Sequence, residues 1–383
     1  MNEIRMLVLS AAFGNGHVRA AEAVIEAMSS KMPTAIITHL DFGEFLIRPF
    51  NSVMKNTYIE MIKYFPKLYG QFYYRTAKID PDSLFQRFLN SLGHREFIRF
   101  INSYNPDVII CTYPTITGVL AQLRSKNILN VPLAAIVTDY TVHNQWIHQG
   151  VDLYIVGCQY VCEGFVDRGI ERRRIRVTGI PVNPKFELEL NRQKIIVKLG
   201  LNSNRLTILV MGGADGVLCG AKRTCNFLGN IETPVQILVV CGKDEKMYKY
   251  MVSVSNTANN PIRCFGYVDN IEEHMTAADL IVTKAGGLTV SEALTKGVPL
   301  LIYKPIPGQE EENANFIKQI GAGKISHTFA EFESTVDYLL NHPSELEKMS
   351  RAARKFTPRS SAQHAADTIL TLQRNSGLIK KIM

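Results

Sequence analysis

Short apolar runs alternate with helix-forming stretches twice along this chain, and no other feature narrows its fold as far. "RMLVLSAAF" reads as a buried strand, "RAAEAVIEAMSS" as a helix of good formers and "PTAIITHLDF" as a second strand. After an aromatic-rich helical region come "PDVIICTYP", "PLAAIVTDY", "VDLYIVGC" and "RIRVTGIPV". Runs that are apolar throughout belong to strands covered on both faces, and strands separated by helices build parallel sheets from βαβ units. The pattern lapses at "GIPVNPKF", where Pro181 and Pro184 mark a boundary, then restarts with "RLTILVMGGADG", "PVQILVVCG", "IRCFGYVD", "ADLIVTKAGG" and "VPLLIYKP". The expectation is an α/β chain of two Rossmann-like domains, residues 1–182 and 183–355. Residues 356–383 are expected to form a C-terminal helix that crosses back to the first domain. At 383 residues the chain is long enough for two domains of roughly 150–200 residues each.

Composition excludes several classes. No run approaches the length of about 20 apolar residues that spans a bilayer, so an integral membrane protein is not expected. Cys158 and Cys162 form a lone C-x3-C and the other cysteines are scattered, which is not a metal-ligand array. With no secretory signal in the N-terminal stretch, reduced thiols in a cytoplasmic protein are expected. The net charge of +8 points to an acidic partner, and its placement says more. Residues 351–383 carry seven basic side chains against one acid. Residues 48–99 carry nine Lys and Arg against four acids, together with eleven of the 34 aromatic residues. Cations for anionic headgroups and rings for the headgroup boundary suit a membrane surface. In "YFPKLYGQFYYRTAKI" the candidates are Lys63, Phe65, Lys67, Tyr69, Phe72, Tyr73, Tyr74 and Arg75. The plainer reading is helical core with solvated cations. No nucleic-acid partner is expected.

In open parallel sheets, ligands bind outside the carboxyl ends of the strands, and each motif worth singling out falls at such an end. Gly14-Asn15-Gly16-His17 lacks the third glycine of a dinucleotide fingerprint and the Lys-Ser/Thr of a P-loop. It reads as a turn before a helix, either structural or holding a substrate hydroxyl near a histidine base. "MGGADG", with Gly213 and Ala214, is a tight turn or a cradle for phosphate oxygens. In "TKAGGLTVSEAL" a strand ends at Gly286-Gly287, and a helix is expected from near Thr289 with Glu292 in its first turn. Capping alone would explain that acid; so would a carboxylate holding ribose hydroxyls while the helix N-terminus faces a diphosphate. "PIPGQEEENA" reads as a loop whose Gln309, Glu310 and Asn313 suit a polyhydroxyl sugar, or as a solvated acidic helix start. "VTDYTVHNQWIHQ" gathers Asp139, His143, Trp146 and His148 within ten residues, at a spacing unlike a zinc site.

Taken together, "SAAFGNGH", "VTDYTVHNQWIHQGVDLYIVGC", "GYVDNIEEHMTAADLIVTKAGGLTVSEAL" and "PIPGQEEENA" closely resemble the diacylglycerol glycosyltransferases of glycosyltransferase family 28. These comprise the monogalactosyldiacylglycerol synthases and the processive diacylglycerol β-glucosyltransferases. The resemblance runs from about residue 5 to 365. It implies a GT-B fold, with the two domains facing across a cleft, acceptor lipid on the first and UDP-sugar on the second. It also implies inverting transfer from UDP-glucose or UDP-galactose to diacylglycerol on the cytoplasmic face of an anionic membrane, with no metal and no other cofactor. Carried over, Glu292 binds ribose, and Tyr267 and Val268 present backbone groups to uracil. Gly213, Ala214, Gly286, Gly287, Leu288 and Thr289 surround the diphosphate. Gln309 and Glu310 contact the sugar, with Asn313 supporting their loop. Gly14, Asn15, Gly16 and Trp146 belong to the acceptor side. The base is His17, with Asp139 as competitor or orienting partner and His143 as a third candidate. "GGADG" departs from the lipid II-forming relatives and favours a glycerolipid acceptor. A lipid II-like acceptor and a non-catalytic UDP-sugar-binding regulator are the alternatives.

Overall fold

The computed structural model describes residues 3–11, 15–41, 61, 65–76, 94–213, 218, 220–356 and 359–382. Gly14, Lys63 and Ala214 lie outside the described residues. The chain divides into two units. The first comprises Met1–Pro184, Pro307–Gln309 and Ser360–Met383; the second comprises Lys185–Ile306 and Glu310–Arg359.

In the first unit the elements are β1 (Arg5–Ser10), α1 (Asn15–Lys31), β2 (Ile36–Asp41), α2 (Pro66–Thr76), α3 (His94–Tyr104), β3 (Val108–Cys111), α4 (Pro114–Ser125), β4 (Leu133–Ile136), β5 (Leu153–Val156), α5 (Gln159–Val166) and β6 (Ile175–Val177). The six strands form a parallel sheet in the order β2-β1-β3-β4-β5-β6. In β1 every residue after Arg5 is buried, and β3, β4 and β5 are buried throughout, as strands with both faces covered must be. One face is covered by α1, through Ala21, Val24 and Met28, packed against Val8, Ile110 and Ile136.

The second unit holds α6 (Arg192–Lys198), β7 (Leu206–Met211), α7 (Ala221–Asn230), β8 (Val235–Val240), α8 (Glu245–Ser255), β9 (Ile262–Phe265), α9 (Ile271–Ala277), β10 (Leu280–Thr283), α10 (Gly287–Lys296), β11 (Leu300–Tyr303), α11 (Gln309–Gln319, whose first residue belongs to the first unit), β12 (Gly323–Ser326), α12 (Phe329–Asn341) and α13 (Pro343–Phe356). Its parallel sheet runs β12-β11-β10-β7-β8-β9. All six residues of "VQILVV" in β8 are buried. The last helix, α14 (Ser361–Ile382), returns to the first unit. Its Ala362, Ala365, Ala366 and Ile369 join the α1 core, and Asp367 pairs with Lys31 at 2.7 Å.

In both sheets the strand order reverses once. In the first it reverses at β1, which lies between β2 and β3; in the second it reverses at β7, beside β10. The crevice at such a point, beyond the carboxyl ends of the strands, is where open α/β sheets take their ligands.

Candidate active site

At the first switch point, α1 starts at Asn15, so Asn15, Gly16 and His17 occupy its first turn. The helix therefore takes in residues that the sequence pattern assigns to a turn ahead of it. The N–H groups of that first turn have no intrahelical partner and stay available to other groups. The first turn presents His17 to the loops that leave β3 and β4. Its Nδ1 lies 2.6 Å from the Thr112 carbonyl and 2.9 Å from the Thr138 hydroxyl. A carbonyl only accepts, so Nδ1 carries the proton and Nε2 keeps its lone pair. The Tyr113 ring meets the imidazole edge-on at 5.0 Å. Burial pushes the His17 pKa down to about 4, with the Thr112 hydrogen bond opposing. At neutral pH the ring is an uncharged imidazole with a defined tautomer. That is the state a general base requires. Asp139 is buried beside Thr138 in the chain, but Nδ1 is held by a carbonyl and a hydroxyl.

His143 is arranged the opposite way. Its Nδ1 accepts the Gln145 N–H at 3.2 Å, capping the turn Asn144–Trp146. Its Nε2 therefore carries the proton, and faces the Tyr73 carbonyl at 3.3 Å and the Thr76 hydroxyl at 3.5 Å. The Tyr73 ring lies 4.6 Å away. Burial drives this imidazole down to about 4 as well; the Tyr73 carbonyl opposes, and Arg168 adds a smaller lowering. With both nitrogens engaged inside the protein, His143 fastens α2 to the segment after β4. Trp146 is buried rather than presented to a ligand, and its carbonyl accepts from the Tyr154 hydroxyl at 2.7 Å.

Helix α2 has two faces. Tyr69 and Thr76 are buried and Tyr73 is partly so, at helical spacing. Phe65, just before the helix, Leu68 and Phe72 are 63%, 57% and 56% exposed; Lys67 and Arg75 are exposed too, and Tyr74 less so, at 38%. The aromatic segment thus supplies both core and an apolar stripe flanked by cations. Among the described residues, no helix is long and apolar enough to cross a membrane.

At the second switch point, β7 runs out into Gly213 and β10 into Lys284-Ala285-Gly286. A side chain at Gly213 or Gly286 would meet nothing within 4 Å. Open space above backbone amides at two adjoining strand ends is what an anion needs. Ala285 adopts the left-handed φ of 69° and is fully buried. Its carbonyl accepts from the buried Asn313 amide at 3.1 Å.

Two expectations change here. Helix α10 begins at Gly287, so Glu292 stands in its second turn and not its first. Capping therefore does not account for this partly exposed acid. "QEEENA" is the opening of α11 and not a loop. Nor is that opening wholly solvated, because Glu310 and Asn313 are buried. Glu310 accepts the Ile306 N–H at 3.1 Å through Oε2 and pairs with Lys284 at 2.9 Å through Oε1. Glu310 and Asn313 thus pin the loop after β10 from one helix, leaving Gln309 at the helix's first position. Further along the same sheet edge, Tyr267 is exposed and Val268 partly so, just after β9. Gly287 and Leu288 are buried, with Thr289 partly exposed. Thr112, Thr138 and Lys284 carry no motif of their own in the sequence, although each lies just beyond a strand's carboxyl end. Among the described residues, no group of three or more His, Cys, Asp or Glu is placed to hold a metal ion.

A family model described as monogalactosyldiacylglycerol (MGDG) synthase matches residues 17–182. Another, the glycosyltransferase family 28 C-terminal domain, matches residues 207–368. A protein of Bacillus pumilus named processive diacylglycerol beta-glucosyltransferase is 33% identical over 96% of this chain and 93% of its own length. The chain belongs to the diacylglycerol glycosyltransferases. A relative of the same name from Bacillus thuringiensis has the same identity and coverage. The fold of this diacylglycerol glycosyltransferase recurs in more distant structures. One is Acinetobacter baumannii MurG, at TM-score 0.62 and 18% identity over 96% of this chain and 99% of that one. Another is a Staphylococcus aureus MnaA-UDP co-structure, at TM-score 0.65 and 12% identity over 97% and 98%. The architecture is GT-B, two Rossmann-like units each with its own switch point.

Proposed function

We propose that this diacylglycerol glycosyltransferase moves a hexose from a UDP-sugar to the hydroxyl of diacylglycerol, with inversion, at the surface of an anionic membrane. The observation that carries the reading is the neutral, Nδ1-protonated His17 at the first switch point. Its Nε2 takes the proton of the acceptor hydroxyl as that oxygen attacks C1 of the sugar. The bond from C1 to the β-phosphate oxygen breaks on the opposite face, the electron pair leaves with UDP, and the product is a β-glycoside. The charge that develops on UDP is met by amides around Gly213, Gly287 and Leu288 and by the N-terminal end of α10. These groups supply the stabilisation a metal would otherwise give, so no bound metal is invoked.

Glu292 holds the ribose hydroxyls, and Tyr267 and Val268 offer backbone groups to uracil. Gln309 contacts the sugar, while the ion-paired Glu310 and the buried Asn313 hold the loop beneath it. The name of the Bacillus pumilus relative supports glucose as the sugar, and the MGDG synthase match keeps galactose in the test. The outward stripe of α2 docks on the cytoplasmic face of the membrane, its rings at the headgroup boundary and Lys67 and Arg75 on anionic lipid.

The deciding experiment offers UDP-glucose and UDP-galactose separately with diacylglycerol in anionic liposomes and identifies the products. A β-hexosyl diacylglycerol is expected. Nucleotide binding with no turnover would replace the reading with a UDP-sugar-binding regulator. Transfer only to a lipid II-type acceptor would replace the acceptor.

A further inference from the structure

Lys185 is the first residue of the second unit, and its side chain reaches a turn more than eighty positions away in the chain. Its ammonium donates to the Asp269 carbonyl and pairs with the Glu272 carboxylate at 2.9 Å. These two partners bracket the passage from the segment after β9 into α9. The next residue, Phe186, is buried and fixes the lysine's backbone. The far end of the same passage is held independently. Lys198 on α6 pairs with Glu273 at 2.6 Å, the Asn270 amide donates to Glu273 at 2.7 Å, and His274 Nδ1 donates to the Asn270 carbonyl at 3.1 Å.

Between Phe265 and Asn270, by contrast, no side chain is buried. The segment Gly266–Asp269 thus has no core side chain of its own, although the Lys243 ammonium lies over the Tyr267 ring at 5.8 Å. Its position leans on the groups that grip its ends, and Lys185 grips the segment's own backbone through the Asp269 carbonyl.

We propose that Lys185 is a positioning residue for the nucleobase side of the donor site, holding Gly266–Asp269 where its backbone selects uracil. This rests on the reading that Tyr267 and Val268 meet the base. Lys185 touches neither substrate nor reacting atoms; it acts through Asp269 and Glu272.

The test measures UDP and CDP affinity calorimetrically for the wild type, Lys185→Met, Lys185→Arg, Glu272→Gln and Val268→Pro, with thermal unfolding of each. Lys185→Met is expected to weaken UDP about five- to tenfold, the usual loss for a charged hydrogen bond that is partly exposed. CDP affinity should fall less, so the UDP-over-CDP preference narrows, a change that general loosening of the fold would not produce. Glu272→Gln should move both values in the same direction by a smaller factor. Lys185→Arg, which keeps a charged donor for both partners, should restore UDP affinity to about twofold of wild type. In steady-state transfer, KM for the UDP-sugar should rise in Lys185→Met while kcat holds. Unchanged UDP affinity and base preference in Lys185→Met, with Val268→Pro weakened, overturns the proposal alone. Unchanged UDP affinity in both variants overturns the reading of Tyr267 and Val268 on which it rests.

Discussion

Replacing Asn313 by Ala removes the side-chain donor on the Ala285 carbonyl, inside a fully buried pair. A buried carbonyl left without its partner costs about 1–3 kcal/mol. Set against this is the strain the contact maintains, since a non-glycine residue in the left-handed region costs roughly 1–2 kcal/mol, and Ala285 sits at φ 69°. Once Asn313 is gone the loop can relax and recover part of that strain, so the net loss should be about 1–2 kcal/mol. In a domain of this size that corresponds to a fall in Tm of roughly 3–6 °C. The functional loss should exceed the stability loss, because a relaxed loop no longer aims the amides around Gly286 and Gly287. Ala285→Gly separates the two effects: glycine adopts the left-handed conformation without strain, so the loop keeps its path with no Asn313 to hold it. Thermal unfolding and UDP titration of both single variants and the double variant form a double-mutant cycle. The double variant should bind UDP more tightly than Asn313→Ala alone. If Asn313→Ala leaves Tm and UDP affinity at wild-type values, or if Ala285→Gly rescues nothing, the held-strain argument is wrong.

Three further outcomes can be checked. The folded pKa of His143 is depressed to about 4, so its stabilising neutral state costs nothing above the unfolded value and drains as pH falls from about 6.5 towards 4. Denaturant unfolding should lose about 2 kcal/mol between pH 6.5 and pH 5 on this account, and His143→Gln should flatten that slope; parallel slopes in the two proteins would sink the assignment. His17→Ala should cut transfer by about 100-fold or more while leaving UDP affinity intact. The wild-type kcat/KM should stay flat well below pH 6.5, because the ring stays neutral there, and an acidic limb at the ordinary histidine value would point to another base. Phe65→Ser with Phe72→Ser should weaken binding to anionic vesicles at least about tenfold, since each ring loses up to about 1.5–3 kcal/mol of burial; retention by the vesicles would make the exposed stripe an ordinary surface.

The sheets were legible because strands buried on both faces leave continuous apolar runs, and "RMLVLS" and "VQILVV" appear as β1 and β8. The glycine-bearing strand ends were legible for a related reason: Gly213 takes the left-handed φ of 81°, and Gly286 leaves open space above its backbone. Helix starts were less so. Thr289 resembles an N-cap, yet α10 is entered two residues earlier through Gly286 and a buried Gly287, where tertiary packing overrides the local preference. What no local pattern carries is the set of partners. His17 and Thr112 lie 95 positions apart and meet only because β1 and β3 are neighbours in the sheet. In the same way, nothing local in "PIPGQEEENA" shows that the Glu310 carboxylate pairs with Lys284.

The two faces of α2 carry a practical consequence for handling the protein. Tyr69 and Thr76 face the core, whereas Phe65, Leu68 and Phe72 face outward and are not part of it. The outward set can therefore be rewritten in polar residues as a block without disturbing the helix's seat. Such a variant should purify without detergent and stay dispersed at high concentration, which would allow donor binding to be studied in plain buffer, apart from lipid.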